Sequence, residues 1–85
     1  MHEQSLVRAV VNRVVALARD NRAERVRKVT VHVGVLGHGD AAQLQALFDR
    51  QTLGTLAEGA TLVVVPTDEL IDLALTEVDL DLSDT

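Results

Sequence analysis

The order of apolar and polar positions divides the chain into five elements. Leu6, Val7, Val10, Val11, Val14, Leu17 and Ala18 recur at spacings of three and four, with Gln4, Ser5, Arg8, Asn12, Arg13, Arg19 and Asp20 between them. This is one face of an amphipathic helix over roughly residues 4–20. Ser5 is placed to cap its start, and Arg19 puts a cation where the dipole of the last turn favours one. Val29, Val31, Val33 and Val35 then alternate with Thr30, His32 and Gly34. The period of two in strong β-formers predicts a strand over roughly residues 29–35, valines toward the helices and His32 on the far face. The glycines in Leu36-Gly37-His38-Gly39 mark a turn. Asp40, with Gln43 three residues on, forms a capping box. It opens a second helix over roughly residues 40–52, carried by Ala41, Leu44, Leu47, Phe48 and Gln51 and closed by Gly54. Residues 55–60 read as a loop.

The remainder is β-like. Thr61 to Val65 is continuous in apolar character, which predicts a central strand. Pro66 to Glu69 breaks the pattern. Ile71, Leu73 and Leu75 alternate, as do Val78, Leu80 and Leu82, but the phase slips by one near Thr76–Glu77. The slip predicts a bulge within one long strand, or a strand followed by a looser tail. The order is α-β-α-β-β. A strand–helix–strand unit favours a parallel crossover, and the short connection between the last two strands favours their antiparallel pairing. The expected fold is an α/β two-layer sandwich, a small three-stranded mixed sheet with two helices on one face, forming a single domain over residues 1–85.

Composition narrows the function. Apolar residues make up 47% of the 85, enough for a folded core, but Phe48 is the only aromatic, so that core is aliphatic. No apolar run approaches the ~20 residues of a membrane helix, and the polar opening does not read as a signal peptide. The absence of cysteine excludes disulfides, thiolate zinc sites, iron–sulfur clusters and a cysteine nucleophile, and it fits a reducing cytoplasmic setting. The net charge of −5 is uneven: residues 1–28 hold seven bases against three acids, and residues 29–85 one base against ten acids. An acidic chain with one aromatic is a poor nucleic-acid binder. The Arg22–Lys28 basic cluster reads as a solvated helix end and loop, with contact to an acidic partner as the alternative.

The chemistry concentrates at Met1-His2-Glu3. A free terminal amine is a nitrogen donor, and the His2 main-chain nitrogen closes a five-membered chelate ring with it once a metal displaces the amide proton. The His2 imidazole lies within reach of both, and Glu3 can add a carboxylate oxygen or its own main-chain nitrogen. Four such donors in a plane suit Ni(II) or Cu(II) better than tetrahedral Zn(II). Retention of Met1 is expected because His2 is bulky. Taken alone, the tripeptide reads as a plain flexible terminus with no role. His38, between two glycines, is a weaker ligand candidate, the alternative being a solvated loop histidine. His32 reads as a partly exposed strand residue; it could join His2 and His38 in one site only if the loop folds toward the N-terminus. Asp79 and Asp81 read as an exposed strand face. No P-loop or G-x-G-x-x-G is present, and no residues that could carry catalysis alone are found.

The Met1-His2-Glu3-Gln4-Ser5-Leu6 opening before an apolar helix resembles the start of the HypA/HybF family of nickel metallochaperones. Val29–Leu36 resembles its first strand, and Asp40 through Phe48-Asp49 its second helix. Gly54-Thr55-Leu56-Ala57-Glu58-Gly59-Ala60-Thr61-Leu62 is similar to its G-T-x-A-x-G-x-x-L stretch, and Asp68-Glu69-Leu70-Ile71 with Val78 to its closing strand. The resemblance implies a non-enzymatic carrier of Ni(II) held by Met1, His2 and Glu3. It further implies work with a maturation GTPase and delivery to a [NiFe]-hydrogenase large subunit or a urease assembly. Gln4 replaces an apolar residue usual there, which leaves the three donors intact. The family inserts a zinc domain with two Cys-x-x-Cys pairs between its last two core strands, where this sequence has only Pro66–Glu69 and no cysteine. Zinc is therefore not expected, and a homodimer through an uncovered strand edge becomes plausible. The rival reading is a protein-interaction module that keeps the fold without the metal; a subunit serving an enzyme on another chain is a third.

Overall fold

The computed structural model describes residues 2–37 and 40–82, with His2 by its backbone alone. The elements are α1 (His2–Asp20), β1 (Ala23–Val33), α2 (Ala41–Gln51), β2 (Thr61–Pro66) and β3 (Leu73–Leu82), in the expected order. The capping box at α2 is formed: the Gln43 amide donates to Asp40 Oδ1 at 2.8 Å, and the Asp40 amide donates to Gln43 Oε1 at 3.2 Å. The start of α1 differs from expectation. The helix begins at His2, so Ser5 lies within its first turn instead of capping it, and Glu3 supplies the acid that the positive end of the helix favours.

The sheet order is β2-β1-β3, with β1 parallel to β2 and antiparallel to β3. The central strand is therefore β1, not β2, and the last two strands do not pair. β2 is apolar on both faces for separate reasons. Leu62 and Val64, in register with Val29 and Val31, face the helices; Val63 and Val65, in register with Thr30 and His32, lie half-buried on the open face. The connection over residues 67–72 crosses the end of β1, a span of roughly 10 Å for two strand spacings. It is bonded to β1 and the turn after it: Thr67 donates to the Val33 carbonyl at 2.9 Å, Gly34 to Asp72 at 3.1 Å, Val35 to Glu69 at 3.0 Å and Leu36 to Ile71 at 3.1 Å.

β1 also starts earlier than its valine alternation indicates. Its burial pattern repeats every three residues over Ala23, Val26 and Val29 and every two beyond. The register against β3 shifts between Ala23 and Arg25 and again between Val26 and Lys28. Each shift adds one residue to β1, so two exposed residues separate successive buried ones. The Arg22–Lys28 cluster is thus mostly strand, not loop. The slip expected near Thr76 is present: Thr30 pairs with Glu77 and Val31 with Leu75, leaving Thr76 over. Its hydroxyl donates to the Thr30 carbonyl at 3.3 Å.

Both helices cover one face of the sheet. Val7, Val10, Val11, Val14 and Ala18 of α1 meet Leu44 and Phe48 of α2 above Val26, Val29, Val31 and Leu62. Phe48, Val14 and Val29 are completely buried. The family-like stretch that begins at Gly54 is a structural loop up to Ala60 and then enters β2. Gly54 and Gly59 take φ of 77° and 83°, Thr55 Oγ1 donates to the Thr52 carbonyl at 2.7 Å, and Ala57 and Ala60 point into the core. The Leu56 carbonyl accepts the Val26 amide at 2.8 Å, which serves the part of β1 that extends beyond its pairing with β2.

Candidate metal centre

The ligand candidates stand at the start of α1, and the helix itself supports their use. The first four amides of an α-helix have no intrahelical acceptor, so the main-chain nitrogens of His2 and Glu3 are outside the hydrogen-bond ladder. Helical ψ keeps successive nitrogens on the same side of the chain, whereas extended backbone would alternate them. A chelate running along the main chain therefore needs little rearrangement of this segment. The positive end of the helix disfavours a bare cation. The anionic donors available, amides that have shed their protons and the Glu3 carboxylate, offset that penalty.

Glu3 is half-buried, while Gln4 and Ser5 are exposed. Glu3 and Gln4 form one wall of a groove of about 340 Å³; Gln43, Leu44, Ala46, Leu47 and Arg50 of α2 form the rest. The groove is held together below by Val7, Leu44 and Phe48. At its edge, Gln51 Nε2 donates to the Gln4 carbonyl at 3.2 Å, mooring the first turn of α1 to the last turn of α2. Sequence reading nominated neither Gln51 nor Arg50 for this role. Gln43, Leu47 and Arg50 do recur at helical spacing on α2, but nothing in the sequence says that this face meets Glu3.

Met1, the His2 side chain and His38 lie outside the described residues, so of the nominated ligands Glu3 alone has a described side chain. Among the described residues, no three His, Cys, Asp or Glu side chains come together as a metal cluster. His32 stands on the open face, half-buried between Val65 and Ala74. Asp79 is exposed, and Asp81 accepts from Arg25 Nε at 3.0 Å. No helix is long and apolar enough to cross a membrane among the described residues.

Residues 1–71 match the family model described as hydrogenase/urease nickel incorporation, metallochaperone, hypA. The chain is 44% identical over 62 residues to the hydrogenase maturation factor HypA of Methylocella silvestris, covering 73% of this chain and 55% of that one. It is 39% identical over 64 residues to the corresponding factor of Archaeoglobus fulgidus, covering 75% of this chain and 58% of that one. The chain thus spans little more than half the length of these relatives. In fold it is similar to the solution structure of the Ni metallochaperone HypA from Helicobacter pylori, with a TM-score of 0.74 at 14% identity, over 95% of this chain and 98% of that one. With most of its length matched from the first residue onward, the chain belongs to the HypA family.

Proposed function

We propose that this protein is a nickel metallochaperone of a hydrogenase or urease maturation pathway, not an enzyme. Ni(II) is its cargo, held by the Met1 amine, the main-chain nitrogen and imidazole of His2, and Glu3. It works in the cytoplasm with a maturation GTPase and delivers the ion to a hydrogenase large subunit or a urease assembly. One observation carries this reading. The family match begins at residue 1, and α1 begins at His2, so the matched start is a segment whose main-chain nitrogens are free of the helical ladder. The groove beside Glu3 gives a receiving protein room to approach the cargo.

The test is calorimetric titration of Ni(II) into protein with an unblocked Met1, compared with His2→Ala and with protein carrying an N-terminal tag. Stoichiometric uptake by the first and loss of it in the other two is the expected result. Equal affinity in all three overturns the proposal. No uptake by any of the three, with partners retained in a pull-down, would point to the interaction-module reading. Protein must be quantified without ultraviolet absorbance at the usual wavelength, since the chain has no Trp or Tyr.

A further inference from the structure

The two outer strands of the sheet are not equivalent. Along β2, the Leu62 amide is taken by Gln45 Oε1 at 3.3 Å. Residues two apart in a strand present their amides to the same side, so Leu62, Val64 and Pro66 share one edge. Pro66 has no amide proton, which leaves Val64 as the remaining amide donor of β2 on that edge among the described residues. The strand is six residues long and ends in that proline. Short length, a side-chain cap and a terminal proline are the features that close an edge against further strands.

Among the described residues, β3 shows none of these. It is ten residues long and pairs on one side with β1; no strand pairs with its other side among the described residues. A groove of about 420 Å³ runs between that outer side and α1, lined by Leu17, Leu75, Val78 and Leu80 with Arg13 and Glu77 at its margins. Beyond the Thr76 bulge, residues 77–82 alternate acidic with apolar in sequence, though Leu82 itself is exposed. Val78 and Leu80 turn toward the core side, half-buried; Glu77 and Asp79 are exposed on the other face.

We propose that residues 77–82 of β3 are a docking edge for an extended segment of alternating apolar and basic residues. Strand addition supplies main-chain hydrogen bonds, and alternate side chains supply specificity. The apolar side chains of the incoming segment enter the groove beside Leu17, Val78 and Leu80, and its lysines or arginines stand next to Glu77 and Asp79. Charge selects this occupant over a second copy. A two-fold antiparallel pairing centred on Val78 sets Glu77 of each chain opposite Asp79 of the other, and like charges directly opposite are destabilising. This inference is independent of nickel.

The test uses metal-free protein and two acetylated, amidated heptapeptides, one alternating lysine with valine and one alternating glutamate with valine. Amide resonances of residues 77–82 should shift with the lysine peptide and gain protection from hydrogen exchange, while β2 amides stay unchanged. The glutamate peptide should leave both strands unchanged. The Glu77→Gln and Asp79→Asn double variant should bind the lysine peptide roughly tenfold more weakly, two cross-strand ion pairs being lost; its unchanged spectrum elsewhere shows that the fold is intact. Absence of shifts in β3, equal binding of both peptides, or a dimer of the free protein in sedimentation that occupies the same edge would overturn the proposal.

Discussion

Gly34 and Ile71 meet so closely that a β-carbon on Gly34 would overlap the Ile71 carbonyl oxygen and lie 2.6 Å from that of Glu69. The contact exists because the connection from β2 to β3 is bonded directly onto the end of β1. Both obstacles are main-chain atoms, which cannot swing aside. Gly34→Ala should therefore cost about 2–4 kcal/mol of folding stability. Gly54 is the control: a β-carbon there meets nothing within 4 Å, although its φ is 77°. Gly54→Ala should cost only about 1 kcal/mol, from backbone conformation alone. Urea denaturation followed by circular dichroism ranks the two; a reversed order would show that the crossing is not tight.

Arg22 offers the opposite sign. It follows α1 with a φ of 54°, and its amide donates to the Arg19 carbonyl at 3.0 Å. This is the left-handed position that ends many helices and that glycine fills without penalty. Arg22→Gly should stabilise the protein by about 0.5–1 kcal/mol, the reduced strain outweighing the larger entropy of the unfolded chain. A lower midpoint in the same denaturation series would contradict this.

Gln51 is predicted to affect local order more than global stability. Its hydrogen bond to the Gln4 carbonyl is exposed, so Gln51→Ala should change the unfolding free energy by no more than about 1 kcal/mol. Hydrogen exchange in the first turn of α1 should nonetheless accelerate, and nickel affinity should fall, because the segment proposed to chelate the metal is less fixed. Exchange rates identical to those of the parent would show that Gln51 does not hold the proposed metal-binding segment in place.

Acid should release the metal. Each proposed nitrogen donor binds nickel only after losing a proton, so protons and metal compete. An ordinary terminal amine titrates near ~8 and an ordinary imidazole near ~6.5, so lowering the solution from about pH 8 to about pH 6 should weaken nickel binding by roughly a hundredfold or more. Titrations across that range measure the slope, and a flat profile would be incompatible with an amine ligand.

The sequence made some of this legible and hid the rest for identifiable reasons. Asp40 and Gln43 announce their helix because a capping box is local, and the slip at Thr76 is visible because valine and leucine lie on either side of it. The first half of β1 was hidden by its two bulges. They space Ala23, Val26 and Val29 three apart, a period that belongs to neither a regular strand nor a complete helix. The place of β2 was hidden because Val63 and Val65 make an edge strand look buried on both sides. At the metal centre the donors could be nominated from residue chemistry. The groove beside them, and the mooring by Gln51, depend on how α1 meets α2, which no local pattern encodes.

The route from β2 to β3 also explains how one architecture tolerates chains of different size. The strands it joins are separated by β1 and held in place by it, so their register does not depend on the linker. A guest sequence spliced into residues 67–72 would enter and leave at points only roughly 10 Å apart. Beyond a minimal span, added length raises the closure entropy only slowly. The sheet acts as a fixed socket, and whatever is grown from that gap leaves from the end of β1 that the linker crosses.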